Sequence, residues 1–110
     1  MINLEEVDQT LVVEVADKTL DAHTSKDFRR EIEKKLEGKK KVVLDLSRLA
    51  FVDSSGLGVL LSCLRQVSAA GGDLKLCCLS GQVRAVFQLV RMHRLFEIHN
   101  TRDEAVRAFQ

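Results

Sequence analysis

The chain has no proline and only six glycines among its 110 residues. Flexible and extended linkers are rich in these two residues, and no stretch of the sequence has such a composition. No internal repeat is present either. The length is that of one ordinary domain with its own hydrophobic core. We therefore predict a single domain over residues 1–110.

Tryptophan and tyrosine are absent, and the five aromatic side chains are all phenylalanine. Lysine and arginine number 17 against 16 aspartates and glutamates, so the net charge is only +1. Binding to a nucleic acid needs a concentrated positive surface, and single-stranded bases usually stack on aromatic rings. The composition therefore argues against direct binding of nucleic acid.

The three cysteines are an odd number, and two of them, Cys77 and Cys78, are neighbours within an apolar run. This arrangement predicts free thiols in a reducing compartment rather than disulfide bonds. The spacing is not the C-x-x-C of a zinc site, and no histidine lies at ligand distance along the sequence. We expect no metal site and no cofactor.

Long apolar runs are also lacking, since none approaches the roughly 20 residues that span a bilayer. The first six residues include Glu5 and Glu6, where a secretory signal would carry a basic region. These features predict a cytoplasmic protein that does not bind a membrane.

The apolar spacing predicts strands that alternate with helices. The predicted strands are a hairpin formed by residues 7–15 and three single strands at 42–46, 74–79 and 95–98. The predicted helices cover residues 24–36, the leucine-rich segment from 57 to 67, residues 82–92, and a segment that starts at 101. Asp21 or Thr24 is expected to cap the first helix. The pattern predicts an α/β fold with a mixed sheet of four to five strands and about four helices packed on it.

The most informative segment is Asp53-Ser54-Ser55-Gly56-Leu57-Gly58, which connects a strand region to the second helix. In one interpretation, Ser54 or Ser55 caps the helix and the glycines allow close packing. In another, one of the hydroxyls accepts a phosphate, because free amides and the helix dipole stabilise negative charge at a helix start. The two interpretations are compatible.

Enzymatic interpretations of this segment do not meet their chemical requirements. A nucleophile elbow needs a glycine two residues before the serine, and Val52 and Asp53 precede Ser54 instead. The glycine spacing fits neither a phosphate-binding loop nor a dinucleotide fingerprint. We therefore expect a protein that is not an enzyme.

The segment from residue 44 to 60, LDLSRLAFVDSSGLGVL, resembles the signature of the STAS family, the sulfate transporter and anti-sigma factor antagonist domains. Four further segments resemble other parts of the family pattern: LDAHT at 20–24, GGDL at 71–74, VRAVFQL at 83–89 and LFEI at 95–98. The resemblance therefore extends over essentially the whole chain, and it is strongest to the stand-alone bacterial anti-sigma factor antagonists. It implies the STAS sandwich of a mixed sheet covered by helices.

The resemblance also implies a function. Family members of this type bind an anti-sigma factor that is itself a serine kinase with a histidine-kinase-like ATPase fold, and they thereby free a sigma factor. Phosphorylation of the motif serine ends the binding, and a serine phosphatase restores it. By position the phosphorylated residue is Ser54. The residues expected at the partner-binding surface are Asp21, Asp53, Ser54, Ser55, Gly56, Gly58 and Val59. Val59 is expected there as an apolar residue off the main leucine stripe.

Two alternatives remain at this point. The same domain could serve as a scaffold or partner-switching subunit in another signalling complex, which would show as binding without release of a sigma factor. It could also be a sensor that binds a small nucleotide or anion at the start of the second helix, which would show as thermal stabilisation by the ligand. A severed transporter domain is disfavoured by the lack of a membrane segment.

Overall fold

Strands and helices alternate along the chain, and the computed structural model describes residues 1–110. The strands are β1 Ile2–Val7, β2 Thr10–Val15, β3 Thr19–Leu20, β4 Lys41–Asp45, β5 Phe51–Val52, β6 Asp73–Cys77 and β7 Glu97–His99. The helices are α1 Ser25–Leu36, α2 Ser54–Ala69, α3 Gly81–Leu89 and α4 Arg102–Arg107. The predicted α/β fold with four helices is confirmed. None of the helices combines the length and the apolar composition needed to cross a bilayer.

The main sheet has five strands in the order β1-β2-β4-β6-β7. The first two strands form the predicted antiparallel hairpin, whose two-residue turn places Asp8 and Gln9 in the left-handed backbone region. Such turns match the right-handed twist of the strands they join. The remaining pairs are parallel, so the sheet is mixed as expected.

A second, two-stranded sheet is formed by the short strands β3 and β5, which pair in parallel through Leu20 and Val52. The sequence analysis did not predict it, because two-residue strands are too short to produce a periodic apolar pattern. This small sheet lies directly before α1 and α2 in the chain and therefore decides where both helices begin.

The helices cover both faces of the main sheet. Successive strand residues point to opposite faces, so Val42 and Leu44 join the core beneath α1, α2 and α3, while Val43 faces α4. On that second face Ala105 and Val106 of α4 pack onto the strands. Side chains of the central strands are thus buried on both sides, as is typical of a covered parallel sheet.

The third helix is shorter than the predicted segment 82–92. It ends at Leu89, and a short 3₁₀ helix, Met92–Arg94, follows it. Arg91 lies between the two with a φ of 61°, a left-handed conformation that interrupts the α-helical hydrogen bonding. The apolar periodicity continues through this segment, so it could not reveal the break.

Two strand boundaries also differ from the prediction. The strand expected at 74–79 ends at Cys77, because Cys78 has a φ of 66° and leaves the extended conformation. The strand expected at 95–98 covers Glu97–His99 instead. Phe96 precedes it as a core residue that packs against Phe87, with ring centroids 6.0 Å apart.

An ion pair between Arg102 and the buried Asp45 carboxylate attaches α4 to the sheet. Arg102 donates hydrogen bonds from Nε and Nη2 to Asp45 Oδ2 at 3.0 and 2.7 Å, and Nη2 also lies 3.4 Å from Glu14 Oε2. Burial by itself raises the pKa of the Asp45 carboxyl, but hydrogen bonds from the Ser47 amide and from Arg102 outweigh that effect and lower the pKa below its ordinary value. Asp45 is therefore charged at neutral pH and depends on Arg102 for compensation.

Replacing Arg102 with leucine should lower the free energy of unfolding by about 2 kcal/mol at neutral pH, because Asp45 loses a charged donor while it remains buried. The loss should shrink as the pH falls below the ordinary Asp value of 3.8. A carboxyl with a lowered folded-state pKa contributes stability above its unfolded pKa and loses that contribution once it is protonated. Urea unfolding at pH 7 and pH 3 measures both effects.

Arg48→Leu is the matched control, since Arg48 is exposed and lies 3.7 Å from Glu14. Exposed ion pairs contribute little to stability. An equal loss of unfolding free energy in Arg102→Leu and Arg48→Leu would show that the Arg102–Asp45 pair stabilises the fold no more than an exposed ion pair does.

Candidate functional site

The amino-terminal ends of α1 and α2 lie side by side. Arg29 Nη2 donates to Ser62 Oγ at 3.0 Å, and Gln66 Nε2 donates to the Glu33 carbonyl oxygen at 3.0 Å. Both contacts join residues 33 positions apart, so the two helices run in the same direction with a constant offset. Because each helix follows one strand of the small parallel sheet, both begin at the same edge of that sheet.

Asp53 caps the second helix. Its Oδ1 accepts the Gly56 amide at 3.1 Å, and its carbonyl oxygen accepts the Leu57 amide at 2.9 Å. The prediction that Ser54 or Ser55 is the cap is therefore wrong, because the extended backbone that a cap requires occurs one residue earlier, at Asp53. Ser54 is the first helical residue, and both serines are exposed.

The turn before the first helix has a similar aspartate. Asp21 Oδ1 accepts the amides of His23 at 2.9 Å and Thr24 at 3.1 Å. These backbone hydrogen bonds, from Thr24 first and then His23, lower the pKa of the Asp21 carboxyl. Thr24 occupies the cap position, but its side chain makes no capping bond to α1. It accepts the Asp21 amide and donates to the Thr19 carbonyl instead, so Asp21 and Thr24 stabilise this turn together.

Gly56 is a point of close contact between α2 and the small sheet. A Cβ atom at this position would overlap the carbonyl oxygen of Leu20 and would come within 2.7 Å of Val52 Cγ2. Gly58, two residues further along the helix, is exposed and has open space around it. Gly56 thus allows close packing of α2 on the small sheet, whereas Gly58 leaves no side chain on the surface beside the serines.

A shallow groove of about 500 Å³ separates the starts of α1 and α2. Its lining residues come from both helices and from the turn before α1: Ala22, Ser25, Lys26, Arg29, Ser54, Ser55, Gly58 and Val59. Val59 is only 5% exposed and belongs to the main core, so it is not the exposed apolar residue that the sequence suggested. The Val59 side chain lines the inner side of the groove but presents little surface to solvent.

Sequence reasoning missed the two cations of this groove, Lys26 and Arg29. Their spacing of three residues places them on one face of α1, and that spacing was visible in the sequence. The packing of α1 on α2 decides which face of α1 lies toward Ser54 and Ser55. No local sequence pattern predicts this orientation. The groove is the one place where cations lie beside Ser54 and Ser55.

A cluster of three potential metal ligands lies at the ends of β4 and β6. One ligand atom each from Asp45, Cys77 and Cys78 falls within 4.8 Å of the others. Burial raises the pKa of both thiols, which favours the protonated form that binds metals poorly. The carboxylate is already bonded to Arg102. This cluster therefore does not compete with the groove as a candidate site.

Comparison with known families matches residues 1–105 to the STAS domain. The chain belongs to the STAS domain family. The match covers nearly the whole chain and confirms the resemblance that residues 44–60 carried.

Two relatives of this STAS domain carry the names of anti-sigma factor antagonists. BtrV of Bordetella bronchiseptica is 39% identical over 74 residues, which are 67% of this chain and 64% of BtrV. The anti-sigma F factor antagonist of Paenibacillus polymyxa is 34% identical over 91 residues, which are 81% of this chain and 75% of that protein. The aligned segment thus spans less than two thirds of the length of BtrV. It spans 75% of the length of the Paenibacillus protein.

Solved structures of SpoIIAA are similar to the STAS domain in fold. Unphosphorylated SpoIIAA, an anti-sigma factor antagonist, superposes with a TM-score of 0.76 at 29% identity, covering 96% of this chain and 93% of that one. The phosphorylated form of SpoIIAA from Bacillus gives a TM-score of 0.73 at 28% identity, with all of both chains covered. The predicted STAS sandwich is therefore confirmed.

Gly56→Ala should destabilise the STAS domain by about 3 kcal/mol, because the new methyl group meets the rigid backbone of Leu20. Gly58→Ala is the matched control in the same helix, and it should be neutral or stabilising by up to about 1 kcal/mol, since alanine favours helices over glycine. Urea unfolding of both variants measures the difference. Equal stability of the two would contradict the close contact at Gly56.

Asp53→Ala should cost about 1 kcal/mol of stability, because the Gly56 amide loses its acceptor. Asp53→Asn keeps an acceptor oxygen and should lose less. Thermal unfolding of the two variants distinguishes capping from charge, and a larger loss in Asp53→Asn than in Asp53→Ala would refute the capping role.

Proposed function

We propose that this STAS domain is an anti-sigma factor antagonist controlled by phosphorylation of Ser54. In its unmodified form it binds an anti-sigma factor that is also a serine kinase with a histidine-kinase-like ATPase fold, and the sigma factor is released. The kinase phosphorylates Ser54, which ends the binding, and a serine phosphatase restores the unmodified form. The domain acts in the cytoplasm as a binding module, without an enzymatic activity or a direct contact to nucleic acid or membrane.

The observation that carries this proposal is the position of Ser54. It is exposed at the first turn of α2, and the capping role belongs to its neighbour Asp53. A kinase can therefore reach the hydroxyl without opening the fold. In the transfer, Ser54 Oγ bonds to the γ-phosphorus of ATP as the bond to ADP breaks, and the hydroxyl proton passes to a base of the kinase.

The modification would change the charge of the docking surface and leave the fold intact. Phosphorylation adds about −1.5 to −2 charges at neutral pH. The start of α2 tolerates this charge through its free amides and its dipole. In a docked complex the phosphate would lose its hydration next to the negative charge of Asp53. This desolvation weakens binding unless the partner supplies a cation to compensate it. A loss of about 1.4 kcal/mol already weakens binding tenfold.

The relatives support the same conclusion. Two of them carry the names of anti-sigma factor antagonists, and SpoIIAA is known in an unphosphorylated and a phosphorylated form. Ser54 follows directly after the capping aspartate in the segment that carries the family resemblance. The proposed partner surface is the edge around Asp21, Asp53 and the exposed first turn of α2, with Ser55 and Gly58 beside Ser54.

The test is a pair of substitutions at Ser54. Ser54→Ala should bind the anti-sigma factor that co-purifies with the tagged domain and should keep binding it in the presence of ATP. Ser54→Asp should bind at least about tenfold more weakly, because it places a permanent charge at the docking surface. Titration calorimetry with the purified partner measures both affinities.

Ser55→Ala and Ser55→Asp are the matched controls, since Ser55 is equally exposed in the same turn. Phosphate should be found by mass spectrometry on Ser54 and not on Ser55. Equal affinities of Ser54→Ala and Ser54→Asp, or phosphate at Ser55 alone, would overturn the proposal.

A further inference from the structure

We propose that the groove between α1 and α2 is an internal binding site for the phosphate on Ser54, in which Lys26 and Arg29 hold the phosphoryl group against the surface of the domain itself. This inference rests on the proposed function, because it concerns the phosphorylated form of Ser54. It adds that Lys26 and Arg29 stabilise the phosphorylated form. The bound phosphate would then occupy the groove and keep a partner out of it.

Two cations of α1 belong to the groove. Lys26 and Arg29 line the same groove as Ser54 and Ser55. Arg29 is oriented by two hydrogen bonds, from Nε to Glu33 Oε1 at 3.0 Å and from Nη2 to Ser62 Oγ at 3.0 Å. Its Nη1 donates no hydrogen bond within the chain. Ser62 lies eight residues, or about 12 Å of helix rise, beyond Ser54 in α2, so the guanidinium must leave Ser62 to reach a phosphate on Ser54.

A buried hydroxyl at the groove gives a second, independent indication. Ser25 is 5% exposed, lines the groove, and its Oγ has no hydrogen-bond partner. Buried hydroxyls are nearly always paired, since an unpaired one loses its hydrogen bonds to water without replacement. This Oγ is closed to solvent, so the Ser25 side chain must rotate before an anion in the groove can accept its hydrogen bond.

The backbone of α2 provides further donors. Asp53 takes the amides of Gly56 and Leu57, which leaves those of Ser54 and Ser55 without an acceptor in the chain. These are the amides that a phosphate on the first residue of a helix can reach. Two cations line the groove, and two free amides lie at the start of α2 beside it.

The charged groups nearby also include three carboxylates, of which Glu33 is paired with Arg29. Asp21 and Asp53 repel a phosphate, but each is bonded to backbone amides at the start of its own helix. His23 in the turn before α1 is exposed. Lys26 forms no ion pair within the chain, and Arg29 pairs with Glu33 through Nε alone, so we expect the two cations to favour the phosphate dianion.

The test installs phosphoserine at position 54 by genetic encoding, so that no cognate kinase is needed. The second ionisation of the phosphate, near pH 6 for a free phosphoserine, is followed by ³¹P NMR against pH. Cations beside the phosphate favour its dianion, so Arg29→Met and Lys26→Met should each raise the midpoint by about half a pH unit, and the double variant by more. Arg29→Lys, which keeps the charge, should recover most of the difference.

Arg30→Met is the matched control. Arg30 is the next residue on α1, is exposed, and lines a different groove with Asp27, Glu31, Lys34 and Lys35. Its removal should leave the phosphate titration unchanged. Identical midpoints for the Lys26→Met/Arg29→Met double variant and for Arg30→Met would overturn the inference.

Thermal unfolding supplies a readout that does not depend on the titration. Phosphorylation should raise the midpoint temperature of the parent domain relative to its unmodified form and should raise it less in the double variant. The unmodified double variant provides the baseline for any effect of losing the Arg29–Ser62 contact. A phosphorylated parent less stable than its unmodified form would contradict internal binding.

The two proposals can fail separately. If the phosphorylated parent still binds the anti-sigma factor, the proposed function is wrong, whatever the titration shows. If binding is lost while the titration is the same in the double variant and in Arg30→Met, the switch stands and the internal phosphate site is wrong.

Discussion

The contact between Gly56 and the backbone of Leu20 is the constraint on which the geometry of the site depends. It presses the first turn of α2 onto the strand that leads into α1. The pairing of Leu20 with Val52 and the hydrogen bond from the Asp53 amide to the Leu20 carbonyl, 3.1 Å long, act at the same place. Since both helices grow from this junction, their starts are held together by backbone packing, which varies little with side-chain motion.

The separation of the capping residue from the proposed modification site follows from that geometry. Asp53 supplies the acceptor that the helix start requires, so the hydroxyl of Ser54 contributes nothing that the fold needs. A serine that was itself the cap would lose its capping geometry on being phosphorylated, and the helix would be affected together with the docking surface. With the cap on the neighbouring residue, a change of charge can alter binding without unfolding the domain.

Electrostatic roles are divided in a similar way. The carboxylates at the site, Asp21 and Asp53, are bonded to backbone amides and stabilise the helix starts. On the opposite face of the sheet, Asp45 and Arg102 compensate each other and attach α4. Lys26 and Arg29 are different, since they lie at a groove beside exposed serines and bond to no carboxylate across it. The charge of Lys26, which pairs with no carboxylate, is thus available to a ligand or to a phosphate, while that of Arg29 is shared with Glu33 of its own helix.

The class of fold, the course of most elements and the family were all predictable from the amino-acid sequence. Apolar periodicity located the hairpin, α1, α2 and the central strands, because burial on a sheet imposes it over many residues. The identity of the cap, the pairing of β3 with β5 and the burial of Val59 were decided only in the folded molecule. The same holds for the placement of Lys26 and Arg29 beside Ser54. These features depend on which backbone amide points at which side chain and on which helix faces meet, and such contacts join residues about 30 positions apart that share no local pattern.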